Sequence, residues 1–461
     1  MAPSYVAERS TVVPHSVDDV YAWHARPGAF ERLTPPWERV EILEQAGGFD
    51  DGGRTVLRVR AGLASLRWVA VYRDHLPGRR FVDEQVEGPF AHWVHRHEFA
   101  PEGAGTRVTD RIEYAPPYGW AGAAADLWLV RPRLHRLLAY RHTLLEHDLA
   151  AHARFAARPR LRVAITGATG LIGQALAAFL TTGGHRVIRV VRGAPAPGDA
   201  HWDPVRGEIE AGALDGLDAV VHLAGENVAA GRWTADRKRR IRASRVASTG
   251  LLSETLARLP RPPKVLVSAS AIGIYGSRGD EVLTEASAPG PENDFFVAVA
   301  RDWEAAAEPA RRAGIRVAHP RFGVVLSPRG GALSKLLPVV RAGIGGPLGN
   351  GRMWMSWVSV DDVVGAVHHA LFSEGFAGPF NVTAPEPVTN WEFTRTLGRV
   401  LRRPTVIPVP HTALRAAFGE MAEATILSSI RVLPAALERD GYPFRHRQLE
   451  VALRYLLGRA A

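Results

Sequence analysis

The sequence predicts an α/β protein: a doubly wound parallel sheet with a small C-terminal cap, preceded by an α+β unit. Three observations predict it. A glycine-punctuated strand–turn–helix stretch, Arg162-Val-Ala-Ile-Thr-Gly-Ala-Thr-Gly-Leu-Ile-Gly-Gln-Ala-Leu-Ala-Ala-Phe-Leu180, lies inside the chain. After it, apolar strands alternate with amphipathic helices. Before it come one helix, a run of alternating strand-like segments and a long helix.

In the organising stretch, Val163 to Ile165 reads as a buried parallel strand. Gly167, Gly170 and Gly173 follow in G-x-x-G-x-x-G spacing, and Leu171, Ile172, Leu176, Phe179 and Leu180 mark the apolar face of a helix. A dinucleotide pyrophosphate needs this order. The first glycine permits the tight turn, and the second lets backbone N–H groups approach the phosphates. The third lets the helix pack closely, and the helix N-terminus supplies positive dipole. Gly167, Thr169, Gly170, Leu171, Ile172 and Gly173 are therefore the expected phosphate-binding residues.

Upstream, 5–13 alternates like a strand. Residues 16–30 read as a helix capped by Ser16, with Asp18 and Asp19 in its first turn. Strands are expected at 39–44, 54–59, 66–73, 80–86, 92–99 and 106–114, separated by Gly and Pro turns. A long helix at 127–153 closes the segment, with Leu134, Leu137, Leu138, Leu145 and Leu149 apolar. On a strand, His95 and His97 share one face and His92 the other. No H-E-x-x-H spacing occurs, so these read as ordinary strand histidines and no metal is expected.

The chain has 461 residues, enough for two or three full cores. It has no cysteine, which excludes disulfides and thiolate chemistry. The first residues lack a basic stretch followed by an apolar one, and no apolar run is long enough to span a bilayer. A cytoplasmic protein is the expectation. The net charge is +10, carried almost wholly by arginine, since only Lys238, Lys264 and Lys335 are lysine. The sharpest basic cluster, Arg237 to Arg245, spreads round a helix with Ile241 and Val246 inward. It reads as a solvated face near a phosphate-bearing cofactor, and no nucleic-acid partner is expected.

After the glycine turn, strand two runs over 186–191. An NAD site would place an acid near its end to hold the ribose 2′-OH; here Arg192 follows, and no acid appears before Asp199. An arginine there suits the 2′-phosphate of NADP(H), so NADP(H) is expected over NAD(H). The next strand, Ala219-Val-Val-His-Leu-Ala-Gly225, ends on small residues, so Leu223, Ala224 and Gly225 are expected beside the nucleotide. A helix at 234–259, a strand at 264–268, a helix at 293–312 and a strand at 315–319 complete the alternation. Two glycine-rich stretches, 330–338 and 343–351, read as loops of a cap over the C-terminal strand ends.

Two resemblances follow from these residues. Residues 1–155, by element order and by Val12-Val-Pro-His-Ser-Val-Asp-Asp-Val-Tyr21, resemble the START/polyketide-cyclase-like (SRPBCC) helix-grip domain. That resemblance implies an apolar ligand in a cavity under the last helix. Trp23, Phe30, Trp37, Trp68, Phe81, Phe90, Trp93 and Trp120 are candidates to line it. Thr166 to Gly173, His222-Leu-Ala-Gly225, Tyr275-Gly276 and Trp357-Val-Ser-Val-Asp-Asp-Val363 resemble an extended short-chain dehydrogenase/reductase. Leu223-Ala-Gly-Glu-Asn, Ser268 to Gly276 and Asp302-Trp-Glu304 narrow the likeness to its atypical epimerase-family branch of NAD(P)-binding proteins. The resemblance implies a Rossmann domain at 160–404 and a small helical domain at 405–461 that completes the cap.

One departure stands out. The superfamily uses Ser, Tyr and Lys, with tyrosine as proton donor and lysine lowering its pKa. The residues four before the three lysines are Thr234, Pro260 and Gly331, so Tyr-x-x-x-Lys is absent from the chain. Aligning on Glu304 puts Phe296 and Ala300 at the tyrosine and lysine positions. The remaining catalytic candidates are Tyr275, Ser270 and Ser268. Glu226, Arg232 and Trp357 are the substrate candidates. Two functions remain: an NADP(H)-dependent oxidoreductase or epimerase-like enzyme acting on a small, apolar carbonyl substrate, or a non-catalytic NADP(H)-binding sensor coupled to a lipid-like ligand module.

Overall fold

The structure is a computed structural model that describes residues 4–62 and 64–460. Residues 1–3 and 461, the outer ends expected for the first and third domains, lie outside the described residues. The chain forms two compact units. One holds the residues up to 156 together with 181–184 and those from 455; the other holds 157–180 and 185–454.

The first unit is a seven-stranded antiparallel sheet with helices. Its strands are β1 (Tyr5–Val13), β2 (Arg39–Ala46), β3 (Arg54–Ala61), β4 (Ala64–Leu76), β5 (Arg80–Glu87), β6 (His92–Glu102) and β7 (Gly105–Ala115). The order β1-β7-β6-β5-β4-β3-β2 is a meander with the first strand laid beside the last. The helix Val17–Ala25 starts where Ser16 accepts from the Asp19 N–H. The expected helix 16–30 is broken, because Pro27 forces Arg26 into extended backbone, and a short helix, Ala29–Leu33, resumes beyond it. The closing helix runs Arg131–Ala153, and a π-helical turn, Asp126–Val130, takes the place of its expected first turn. Val20 and Trp23 from the first helix, Phe81 and Phe99 from the sheet and Leu145 and Leu149 from the closing helix share one core. Trp93 and Tyr114 anchor a second with Leu134 and Leu138, and Trp68 and Phe90 pack on it. Trp120, expected to face a cavity, is instead 85% exposed.

The second unit is the doubly wound sheet. Its main strands are β8 (Arg162–Thr166), β9 (Arg186–Val191), β10 (Ala200–Asp203), β11 (Glu208–Ile209), β12 (Ala219–His222), β13 (Val265–Ser268), β14 (Ser270–Ala271), β15 (Val282–Leu283), β16 (Arg316–Phe322), β17 (Val324–Leu326), β18 (Trp354–Met355), β19 (Trp357–Ser359) and β20 (Gly378–Val382). The large sheet has the order β11-β10-β9-β8-β12-β13-β16-β14, with β20 also on β16. From β8 the chain runs outward through β9 and β10, then returns to the other side through β12, β13 and β16. The order therefore reverses between β8 and β12, and open α/β sheets bind ligands at that crevice. β20 was not expected: Gly378-Pro-Phe-Asn-Val carries too few apolar residues to signal a strand, and it is held by its pairing with β16. The helix expected at 293–312 is two, Phe295–Ala305 and Glu308–Arg312.

The cap contains the helices Gly331–Arg341, Asn390–Leu401 and His411–Phe418. β18 pairs with β21 (Val388–Thr389), and β15 pairs with β22 (Arg431–Val432), which stitches the late chain onto the sheet unit. Among the described residues, no helix is long and apolar enough to cross a membrane.

Candidate functional site

β8 ends at Thr166, and the chain turns at Gly167 with φ +67°. A Cβ there would stand 2.8 Å from the Leu223 carbonyl carbon and 2.9 Å from the Ala224 nitrogen, so the turn presses on the end of β12. A Cβ on Gly173 would stand 2.2 Å from the Gly167 oxygen, so only glycine lets the helix Leu171–Thr182 seat against the turn. Gly170, whose N–H bonds the Gly167 carbonyl at 2.9 Å, and Thr169 are exposed. The helix N-terminus with Leu171 and Ile172 follows them directly. An exposed glycine turn at a helix N-terminus, at the switch point of the sheet, fits a dinucleotide pyrophosphate.

Thr166 and His222 lock the two neighbouring strand ends: the hydroxyl and Nδ1 lie 2.7 Å apart, and the same hydroxyl accepts from the Leu223 N–H. Burial pushes His222 down to about 3, so it is neutral at pH 7 and adds no charge beneath Leu223, Ala224 and Gly225. In β9, Val190 lies opposite Thr166, which places the exposed Arg192 just past the strand end, level with the turn. Arg189 is spoken for, since Asp199 holds it at 2.9 and 2.7 Å. Arg192 itself is exposed there.

Behind the crevice lies a buried polar network. Arg321 Nε and Nη2 donate to the two Glu304 oxygens at 2.8 and 2.9 Å. Ser270 donates to Glu304 at 2.7 Å. Arg321 Nη1 donates to the Tyr275 hydroxyl at 2.9 Å, and that hydroxyl donates to Asn381 Oδ1 at 2.8 Å. Burial raises Tyr275 above the ordinary phenol value although the Arg321 cation opposes it. Burial also pushes Glu304 up, but bonding to Arg321 outweighs it and leaves the carboxyl below its usual range. Tyr275 and Ser268 are fully buried and Ser270 nearly so, so none of the three hydroxyls faces the open crevice. Phe296 lies beside Gly273, whose Cβ would meet it at 3.6 Å, and Trp233 packs edge-on against Phe296 at 4.8 Å. Ala300 belongs to the apolar cluster around Tyr275.

The loop after β12 carries the substrate candidates. Glu226 is half-buried, with its carboxylate 3.8 Å from Arg237 and 3.9 Å from Arg240. Arg245, half-buried over the Trp303 ring, donates to the Glu226 carbonyl at 3.1 Å. Arg232 does not pair with Glu226; it donates to the Ala416 carbonyl of the cap at 3.1 Å. Lys238 pairs with Glu420, and Lys335 donates to the Ala229 carbonyl at 2.7 Å. The loop and the start of the helix Ala235–Ala257 that follows it are thus tied to the cap at three points. Trp357 is fully buried in β19 and donates its indole N–H to the Glu386 carbonyl at 3.0 Å. A cleft of about 380 Å³ opens in the cap between the chain after Tyr275 and the 349–353 loop, with Asp280, Arg352, His411 and Glu423 among its walls.

Sequence reasoning missed Arg321 and Asn381, and used Glu304 only as a landmark. One signal was available: Arg321 is a charge inside a strand buried on both faces, which stands only with a partner.

The switch-point crevice, the glycine turn and the parallel order define an NAD(P)-binding Rossmann domain of the extended short-chain dehydrogenase class. The chain belongs to the epimerase family. The model of the NAD dependent epimerase/dehydratase family matches residues 163–382. A domain of unknown function, DUF1731, matches 409–456, and the polyketide cyclase / dehydrase and lipid transport family matches 13–142. The first unit is accordingly a polyketide-cyclase-like (SRPBCC) domain. An epimerase family protein of Mycobacterium bovis is 44% identical over 294 residues, 64% of this chain and 96% of that protein. One from Bacillus subtilis is 36% identical over 301 residues, again 64% of this chain and 98% of the relative. A crystal structure described as a nucleoside-diphosphate sugar epimerase from Corynebacterium glutamicum is 37% identical with a TM-score of 0.81, covering 98% of this chain and 90% of that one. A human epimerase family protein crystallised with NADPH is 35% identical with a TM-score of 0.60, covering 64% of this chain and 99% of that one.

Proposed function

We propose that the chain is an NADP(H)-dependent oxidoreductase or epimerase-like enzyme for a small carbonyl substrate. In this reading 1–155 is a ligand-binding domain, 160–404 the dinucleotide domain and 405–461 the cap. The observation that carries it is the glycine turn, where neither Gly167 nor Gly173 has room for a Cβ, with Arg192 beside it in place of a ribose-binding acid. The cofactor, when bound, supplies or accepts hydride. Gly167 and Thr169 to Gly173 hold its pyrophosphate, Arg192 its 2′-phosphate, and Leu223, Ala224 and Gly225 flank the nucleotide. The human relative crystallised with NADPH supports that choice. Glu226 and Arg232 present a carboxylate and a guanidinium from the loop tied under the cap, where a polar substrate group would be clamped. Because the Corynebacterium relative is described as a nucleoside-diphosphate sugar epimerase, sugar nucleotides are worth trying beside simple ketones.

Proton transfer falls to the hydroxyls of Tyr275, Ser270 and Ser268. With its pKa raised, Tyr275 is a donor and a poor base at pH 7, so reduction should outrun oxidation near neutrality. Its hydroxyl must first leave Asn381 and Arg321. That same engagement, with Phe296 and Ala300 at the superfamily's tyrosine and lysine positions, favours a second reading: an NADP(H)-binding sensor coupled to the N-terminal domain and its apolar ligand.

One assay separates the two: oxidation of bound NADPH against a panel of ketones, enones and sugar nucleotides. Turnover that Tyr275→Phe lowers by about 10²–10⁴-fold, with NADPH affinity unchanged, supports the enzyme with Tyr275 as acid. Turnover indifferent to that substitution makes Tyr275 structural. NADPH binding without hydride transfer across the panel supports the sensor.

A further inference from the structure

We propose that the N-terminal domain holds a divalent transition-metal ion of the zinc class, bound by Asp83, His95 and His97, with Asp110 positioning both histidines. Nothing in this depends on the cofactor reading. The register builds the site. Asp83 on β5 lies opposite His95 on β6, and His97 lies opposite Asp110 on β7. All four side chains meet on the inner face of the sheet, under the closing helix that brings His142.

Asp83 Oδ2 is the shared vertex. It lies 3.5 Å from His95 Nδ1 and 3.4 Å from His97 Nε2. The three candidate ligand atoms all fall within 4.8 Å of one another. Tetrahedral bonds of about 2.0–2.1 Å to nitrogen and oxygen set neighbouring ligand atoms about 3.3 Å apart. The other nitrogens of both rings turn to a second carboxylate. His97 Nδ1 lies 2.5 Å and His95 Nε2 3.3 Å from Asp110 Oδ1, and His142 Nε2 is 3.2 Å from Oδ2 of the same residue. A carboxylate behind each ligating imidazole is the outer shell that fixes ring orientation at metal sites.

His97 Nε2 and Asp83 Oδ2 are hydrogen-bonded at 3.4 Å, but other contacts of the cluster are close without being satisfied. His95 Nε2, His142 Nε2 and Asp110 Oδ1 are buried with no well-aligned hydrogen bond. The His95 and His97 rings stand 3.9 Å apart, so protonating both to answer two carboxylates would stack two cations. A divalent cation answers both carboxylates and leaves the rings neutral. Arg141, the other cation acting on Asp83, makes an all-protein ion network the competing account. Asp83 is the most exposed of the four at 20%, which marks the side of entry. Three protein ligands leave a fourth position for water or for an oxygen of the domain's own ligand.

The test uses the full chain, purified without a metal-chelate step, loaded with zinc, dialysed and measured by plasma mass spectrometry. Retention of a single equivalent is expected. Asp83→Asn and His97→Ala should lose it, and His92→Ala, on the outer face of β6, should keep it. Asp110→Asn should keep the stoichiometry and weaken affinity about 10–100-fold, the usual cost of an outer-shell partner. Cobalt loading gives a readout that does not depend on any variant's folding: intense tetrahedral visible bands are expected of the wild-type protein. A folded wild-type protein that retains no zinc, an octahedral cobalt spectrum, or metal lost equally from His92→Ala and His97→Ala would each overturn the proposal and leave the Arg141 ion network.

Discussion

Each unit buries a cluster of ionisable side chains in its interior, and the two clusters are built differently. In the sheet unit, Glu304 takes a two-pronged grip from Arg321 and a third bond from Ser270, and Arg321's remaining arm reaches Tyr275. In the first unit, Asp83, His95, His97 and Asp110 crowd together at similar distances, with several atoms left unaligned. Buried polar groups are normally satisfied, because an unanswered one costs about 1–3 kcal/mol. A closed network fixes its members in place, and a crowded, unaligned one has polar atoms left to satisfy.

The sharpest way to break that contrast is Glu304→Ala. It strands a buried guanidinium, and removing one partner of a buried pair typically costs about 3–5 kcal/mol. Chemical denaturation should show a loss of that size in the sheet unit. A loss no larger than that from Glu308→Ala, which removes an exposed partner of Arg311 and Arg312, would mean the network is not closed.

Acid probes the same interior. His222 titrates near 3 when folded and about 6.5 when unfolded, so the unfolded chain binds the extra proton between those values. Its contribution is complete above pH 6.5 and fades as pH falls toward 3. At pH 5 the loss is about 2 kcal/mol, at about 1.4 kcal/mol per pH unit. Hydrogen exchange of the β12 peptide, corrected for intrinsic rate, should report it, and His222→Gln should flatten the slope.

Gly173→Ala should lower the unit's stability by about 1–3 kcal/mol, as overpacking does, and weaken NADPH binding with it. A melt unchanged by that substitution would show that the turn can yield. The smallest expected effect is Arg192→Ala: NADPH affinity falling about tenfold with NADH affinity unmoved, near 1.4 kcal/mol. Titration of both cofactors checks it, and equal affinities in the parent protein would end the NADP(H) assignment.

The two interiors were also unequally legible. The glycine turn shows in its spacing and in strand–helix order, which are written locally, as is the crowding of Gly173 by Gly167; the crowding of Gly167 by Leu223 and Ala224 is not. The shared face of His95 and His97 follows from strand periodicity alone. Their aspartates do not, because Asp83 and Asp110 sit on other strands and meet the histidines only once the register is fixed; a slip of one residue would turn them outward. Arg321 and Asn381 were hidden for a related reason. Each sits in a sheet strand, and its partners come from other elements, 17 residues away for Glu304 and Arg321 and 106 for Tyr275 and Asn381.

The pairing of β15 with β22 has a consequence for the order in which the protein is made. The side-chain amide of Asn381, which receives the Tyr275 hydroxyl, donates to the Leu433 carbonyl 52 residues downstream, and Glu285 accepts from both the Asn381 and Ala436 N–H groups. Every strand of the large parallel sheet precedes that segment. On the ribosome, the sheet, its glycine turn and both partners of the Tyr275 hydroxyl are therefore made while the segment that braces Asn381 and Glu285 is still untranslated. The nascent chain has the crevice and the lock before it has the brace behind the lock.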